Sequence, residues 1–215
     1  MHKSSVWHMK DCVDRFFSPM PKGKVLDIGS KNRSAEQAVE YRRLFEAIGW
    51  EYVGADLQSG HNVDIVLGDP YIWDMADNYF DGIISGQMLE HNECFWLTFL
   101  EMARVLRVGG RMVHIAPSRG VEHRAPHDCW RFYRDGMRAL AKWSGLTCIE
   151  ASTDWSSDHL AALKVRKPRV YAAIPRRGLF ENSEWGDTVG VFEKSRQSSD
   201  ADMGRRYIAA LAARA

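Results

Sequence analysis

Hydrophobic and polar positions between Lys24 and Pro117 follow a repeated strand–helix rhythm. Lys24 to Gly29 is a short β-rich run ending in glycine, the pattern of a buried parallel strand. From Ser34 to Ile48, Ala38, Tyr41, Phe45 and Ile48 share one helical face, and Gly49 is a natural stop. Further strands are predicted at Tyr52–Asp56, Val63–Leu67 and Phe80–Ser85. Asn92 is positioned to cap the next helix, whose Phe95, Phe99, Ala103 and Leu106 recur at helical spacing until Gly109-Gly110. Arg111 to Ala116 reads as a fifth strand, stopped by Pro117.

Such repetition implies an α/β fold, a parallel sheet with helices on both faces. Downstream, Asp135–Ser144 is helical in pattern, and Leu146–Ser152 and Gly186–Lys194 are strand-like. Residues 156–184 read as an insertion before the last strand, and 196–215 as a polar tail ending in an Ala-rich helix. Ser4 to Phe17 is helix-compatible and open to two roles, a lid or an ordinary packing helix. The expected organisation is a single domain over 1–195, with residues 1–20 as its N-terminal helix and 196–215 as a C-terminal tail.

A chain of 215 residues suits one domain with a substantial core. Twenty-nine Lys and Arg against 28 Asp and Glu give no global attraction to nucleic acid or anionic membrane. Lys164, Arg166, Lys167, Arg169, Arg176 and Arg177 form a local basic stretch, either a solvated surface or a site for an acidic acceptor. Four scattered cysteines without a C-x-x-C pair argue against a zinc module and for reduced thiols. With no apolar signal core and no stretch near ~20 apolar residues, a cytoplasmic protein without a membrane span is expected.

Ligands of open parallel sheets bind beyond the carboxyl ends of the strands, where strand order reverses. Those ends read Asp27-Ile28-Gly29-Ser30, Asp56-Leu57, Gly68-Asp69-Pro70 and Ser85-Gly86-Gln87. Gly29 lets backbone approach a ligand closely, Asp56 can accept both hydroxyl hydrogens of a ribose, and Asp69 can accept from an exocyclic amine. A nicotinamide dehydrogenase is excluded by the missing G-x-G-x-x-G, and a short-chain dehydrogenase by the missing Tyr four residues before a Lys. Gly68-Asp69-Pro70-Tyr71 resembles the Asp-Pro-Pro-Tyr loop of adenine-N6 methyltransferases but follows the third strand rather than the fourth.

The ordered set Val25-Leu26-Asp27-Ile28-Gly29, Asp56, Gly68-Asp69, Phe80 to Ser85, Leu89-Glu90-His91 and Glu101 to Gly110 resembles the class I S-adenosylmethionine (SAM)-dependent methyltransferases. It is most similar to the type 11 small-molecule branch and covers roughly residues 22–150. The resemblance implies a Rossmann-like seven-stranded, mostly parallel sheet, with SAM as cofactor and S-adenosylhomocysteine as product. It implies that Asp27, Gly29 and Ser30 lie at the methionine part of SAM, Asp56 at the ribose and Gly68-Asp69 at the adenine. Leu57 and Pro70 would flank the adenine ring, and Ser85, Gly86 and Gln87 would lie under the sulfonium. One departure is clear: the family's D-x-G-x-G-x-G loop has Lys31 and Arg33 at its later glycine positions here.

Two segments should face the methyl acceptor. In related methyltransferases the Glu90-His91 pair lies near the active-site mouth, where it sometimes assists metal binding or deprotonation. His91 can take a proton from a hydroxyl, or simply buttress the following helix. The segment Ala116 to Tyr133 contains Pro126-x-Asp128-x-Trp130-Arg131-Phe132, similar to a motif of the type 11 subgroup found in glycan and natural-product biosynthesis. His123, His127 and Asp128 offer proton acceptors, Arg124 and Arg131 charged forks, and Trp130 a ring face. Scaffold and acceptor recognition divide this motif. His123 is the leading candidate base, ahead of His91 and His127; no metal is expected, because a loop fixes no ligand geometry. The expected reaction is methyl transfer to an oxygen, less readily a nitrogen, of a small-molecule or sugar/glycan-type acceptor, with no nucleic-acid partner. A non-catalytic binding protein and an RNA or protein methyltransferase are the alternatives.

Overall fold

The alternation in each strand carries the architecture. In β1 (Lys24–Ile28), Leu26 and Ile28 enter one hydrophobic cluster while Val25 enters another on the opposite face. Ile83 and Ile84 of β4 (Phe80–Gly86) split the same way. A period of two with both faces apolar is the signature of a sheet buried on both sides. The computed structural model describes residues 3–32, 40–154 and 185–195, with isolated positions at 164–166, 168–169, 204, 208–209 and 212–213.

The sheet has seven strands in the order β3-β2-β1-β4-β5-β7-β6. The remaining strands are β2 (Glu51–Asp56), β3 (Ile65–Val66), β5 (Leu106–Arg119), β6 (Thr147–Thr153) and β7 (Gly186–Glu193). The first five pair parallel, and β7 lies antiparallel between β5 and β6. This is the Rossmann-like, mostly parallel sheet expected, and the order reverses between β1 and β4. Helices α1 (Lys3–Cys12) and α2 (Glu40–Ala47) cover one face through Met9, Tyr41 and Phe45. Helices α3 (Phe95–Val105) and α4 (Arg134–Ser144) cover the other through Phe99, Met102, Met137 and Leu140.

Several predicted boundaries move. Helix α3 ends at Val105 rather than at Gly109-Gly110, and Leu106 already pairs with Phe80 in the sheet. Gly109, at φ +78°, occupies an irregular stretch of β5, and its N–H donates to the Lys194 carbonyl. Pro117 does not stop β5, which runs on to Arg119. Its pairing with β4 ends at Ile115, so beyond that point only β7 lies alongside, and a missing N–H is tolerated. Asn92 is not the cap of α3: Cys94 occupies that position, while Asn92 Oδ1 accepts from the Cys94 N–H and Nδ2 donates to Thr98. The N-terminal helix forms and continues as a π-helical turn over Val13–Phe17. Ser5 meets the Tyr41 hydroxyl at 2.6 Å, and His8 Nε2 lies 2.9 Å from Asp154. The predicted insertion 156–184 and tail 196–215, like Arg33, fall almost wholly outside the described residues; Lys164, Arg166 and Arg169 are exposed.

Candidate active site

A cleft of about 640 Å³ opens where the strand order reverses. It is lined at the ends of β1 and β2 and the turn after β3 by Ile28, Gly29, Lys31, Asp56, Leu57 and Pro70. Gln87, Met88, His91, Thr98, Pro126 and His127 line it as well. Pockets that take drug-sized or cofactor ligands have such volumes.

Gly29 stands at φ +78°, and a Cβ there would meet the Met88 side chain at 2.6 Å, so only glycine fits this turn. Its N–H and that of Ser30 donate to the Ala55 carbonyl, which ties the loop after β1 to the end of β2. Asp56 projects beyond β2 with both oxygens engaged by backbone, Oδ2 by the Lys31 N–H and Oδ1 by the Gln58 N–H, each at 3.1 Å. A carboxylate so held keeps lone pairs for further donors. Lys31 Nζ donates to Gln58 Oε1 at 2.8 Å, which carries its charge along the loop.

Other predicted cofactor residues sit behind or beside this wall. Asp27 is buried and accepts a hydrogen bond from the Tyr52 hydroxyl. Burial pushes its carboxyl up to about 7, against the opposing pull of that bond. Ser30 is buried and donates to the Asn62 carbonyl. Ser85 is fully buried and its hydroxyl lies 2.6 Å from Nδ1 of His114, its register partner in β5. Burial alone lowers His114 to about 3, so that ring is neutral. Gly86 is needed for packing, since a Cβ would overlap the Tyr41 ring. Gln87, at φ +59°, turns into the cleft and donates from Nε2 to Asp187. Gly68 has open space around it, and Asp69 is exposed with Oδ1 accepting from the Tyr71 and Ile72 N–H groups, an Asx turn.

In the segment predicted to face the acceptor, Arg131 grips Asp128 through two parallel bonds, one of 2.8 Å, and also donates to the Val121 carbonyl. The Asp128 side chain is 1% exposed, and the Arg131 guanidinium holds its carboxyl well below the usual carboxylate range. Asp128 Oδ2 also accepts from the His123 N–H at 2.7 Å. Trp130 packs edge-on against Phe95 and Trp96, and its Nε1 donates to the Asn92 carbonyl. Arg124 is exposed and pairs with Glu122 on the surface. The Asp–Trp–Arg part of the motif therefore braces the loop against α3.

His91 Nδ1 meets the His127 carbonyl, which leaves Nε2 as the ring nitrogen bearing a lone pair. Burial lowers the His91 pKa against the effect of that carbonyl, and the neighbouring His123 lowers it further. The His91 and His123 rings pack edge-on with centroids 4.9 Å apart. Sequence reasoning gave no role to Met88 or Trp73, which line the cleft, because neither belongs to the strand-end motif through which Leu57 and Pro70 were found. It noted Glu90 only as part of a dipeptide. Glu90 is fully buried, and burial pushes its carboxyl up to about 8.

Residues 27–114 match the family model Methyltransf_11, described as a methyltransferase domain. Among solved structures, a candidate sarcosine dimethylglycine methyltransferase from Galdieria sulphuraria is 18% identical with a TM-score of 0.60, over 89% of this chain and 86% of that one. The 1,6-didemethyltoxoflavin-N1-methyltransferase of Burkholderia thailandensis, solved with S-adenosylhomocysteine, is 13% identical at TM-score 0.60, over 90% and 79%. The [4+2]-cyclase SpnF is 16% identical at TM-score 0.61, over 88% and 80%. No curated protein matches the chain. No helix among the described residues is long and apolar enough to cross a membrane. The strand order and these solved structures give the chain the Rossmann-like fold of class I SAM-dependent methyltransferases, and residues 27–114 are similar to a methyltransferase domain.

Proposed function

We propose that this enzyme moves the methyl of SAM to an oxygen, and less readily a nitrogen, of a small-molecule or sugar/glycan-type acceptor. The observation that carries the reading is a cleft whose lining includes both Gly29, Asp56, Leu57 and Pro70 and His91, Pro126 and His127. The first group suits SAM: backbone approach at Gly29, lone pairs at Asp56 for ribose hydroxyls, and apolar surfaces at Leu57 and Pro70 for adenine. Bound SAM supplies an electrophilic methyl on a sulfonium. The chain then has to orient the acceptor, exclude water and receive a proton from a hydroxyl.

In this reading Asp27, Ser30, Ser85 and Gly86 act through the shape of the strand ends, while Gln87 meets the ligand. Gly68 and Asp69 shape the turn that presents Pro70. Asp128, Trp130 and Arg131 hold the acceptor loop, and Arg124 stands at its surface. His91 and His127, which line the cleft, are nearer an acceptor than His123. One domain over 1–195 with a separate tail, and a cytoplasmic setting, complete the proposal.

Calorimetric titration with SAM and S-adenosylhomocysteine tests the cofactor half; no heat and no thermal shift would defeat it. A panel of sugar and phenol acceptors, with amines as contrast, tests the rest through SAM consumption. A binding protein without methyl transfer is the second reading, favoured by Lys31 in place of glycine and by a cyclase of similar fold. Turnover of SAM with any acceptor rejects it.

A further inference from the structure

Beside the cleft, Glu90, His91 and His123 each bring one ligand-type atom within 4.8 Å of the other two. Two imidazoles and one carboxylate from a strand-end turn and a loop form the donor set of an open transition-metal site. We propose that these three residues bind a divalent first-row transition ion whose remaining positions face the acceptor.

Three observations carry the proposal. Glu90 is 0% exposed, and neither of its carboxylate oxygens has a hydrogen-bond partner among the described residues. A buried carboxylate is costly unless a cation or donors satisfy it, and a neutral carboxyl would still need an acceptor for its own hydroxyl. His91 Nε2 lies 3.6 Å from Glu90 Oε1, too long for a hydrogen bond and close to the roughly 3–3.5 Å that separates two ligands on one such ion. The histidines are also held in place. His91 Nδ1 meets the His127 carbonyl, and the His123 backbone N–H donates to Asp128 Oδ2, with His123 Nδ1 3.3 Å from that same oxygen. An oxygen in the position of the His127 carbonyl is what orients a metal-binding histidine and sets its tautomer. His123 is further confined between His91 and Trp185, with ring centroids 4.9 and 5.0 Å away.

His8, Asp154 and Asp187 form the other cluster of metal-ligand type among the described residues. There His8 bonds Asp154 directly, the Asp187 N–H donates to Asp154, and Asp187 Oδ1 accepts from Gln87 and Trp185. Of the two carboxylates only Asp187 Oδ2 is unsatisfied among the described residues, whereas both Glu90 oxygens are. That cluster fastens α1 to the sheet.

His91 lines the cleft with Pro126 and His127, so acceptor oxygens could complete the ion's coordination. A hydroxyl bound to such a cation gives up its proton more readily, and His127 remains at the cleft to receive it. The role for the acceptor rests on the methyl-transfer reading; binding of the ion does not.

The full chain, stripped with EDTA, is titrated with Co(II) and followed by visible absorption and calorimetry, with Zn(II) as competitor. One equivalent is expected, with affinity falling at least tenfold in both His123→Ala and Glu90→Gln. Glu90→Gln preserves shape, and melts without metal report whether each variant folds. His8→Ala should bind Co(II) like the parent. Absence of stoichiometric binding by the folded parent, unchanged affinity in Glu90→Gln, or loss confined to His8→Ala each overturns the site. Parallel titration with S-adenosylhomocysteine separates the two claims. Nucleoside binding without Co(II) binding defeats only the metal, and Co(II) binding without nucleoside binding defeats only the cofactor reading.

Discussion

Arg131 holds both oxygens of Asp128, and the Oδ2 it grips also receives the N–H of His123. One buried carboxylate thus ties three points of the loop after β5 together. Its folded pKa is depressed below the ordinary value near 4, chiefly by the Arg131 bond. The stability it contributes is therefore present above pH ~4 and lost as pH falls below that. Asp128→Asn should cost about 2 kcal/mol at pH 7 and somewhat less at pH 3, read from urea unfolding at both values.

Asp27 has the opposite sign. Burial raises its folded pKa to about 7, so the native state keeps a proton that the unfolded chain releases near pH 4. Stability from this group is full below pH ~4 and declines as pH rises toward 7. Asp27→Asn should therefore gain on the parent between pH 5 and pH 8. Tyr52→Phe, which removes the bond donor to Asp27, should lose about 1–3 kcal/mol at pH 8. Denaturation across that pH range checks both.

Gly29→Ala should be destabilised by about 1–2 kcal/mol from its left-handed backbone alone. The new methyl would also strike Met88. A Gly29→Ala/Met88→Ala double variant should recover part of any lost SAM affinity by calorimetry but not the backbone share. Complete recovery would mean the backbone conformation is immaterial.

Lys31→Gly restores the glycine that the family's loop usually has. Because the Lys31 ammonium is bonded to Gln58, SAM affinity should change less than about threefold, within ~0.7 kcal/mol. Asp56→Ala, which removes the anchor of two backbone amides, should weaken SAM binding at least tenfold, about 1.4 kcal/mol. Comparable effects of the two substitutions would contradict this division of labour.

The strands were legible as short apolar runs because the sheet is packed on both sides; which face each residue takes, as with Val25 and Leu26 in opposite clusters, is seen only in the structure. Pro117 misled because local chemistry does not say where a neighbouring strand ends. Gly109-Gly110 resembled a helix stop, yet the helix had already given way to the sheet at Leu106. The strand-end residues were legible as a set, but their directions were not. Ser85 and His114 face each other only because β4 and β5 take that register. The Glu90–His91–His123 cluster needs a turn after β4 and a loop after β5 to meet, a relation between segments about thirty residues apart.

In the proposed function, the Asp56 carboxylate, fastened to the amides of Lys31 and Gln58, is in place for a ribose before any ligand arrives. Binding there should resemble a key entering a finished lock, with little ordering entropy to be overcome. Adaptation to different acceptors is then left to the exposed loop carrying Val121, Ala125 and His127. Changes of acceptor preference among variants should consequently arise in that loop without disturbing how tightly the nucleoside is held.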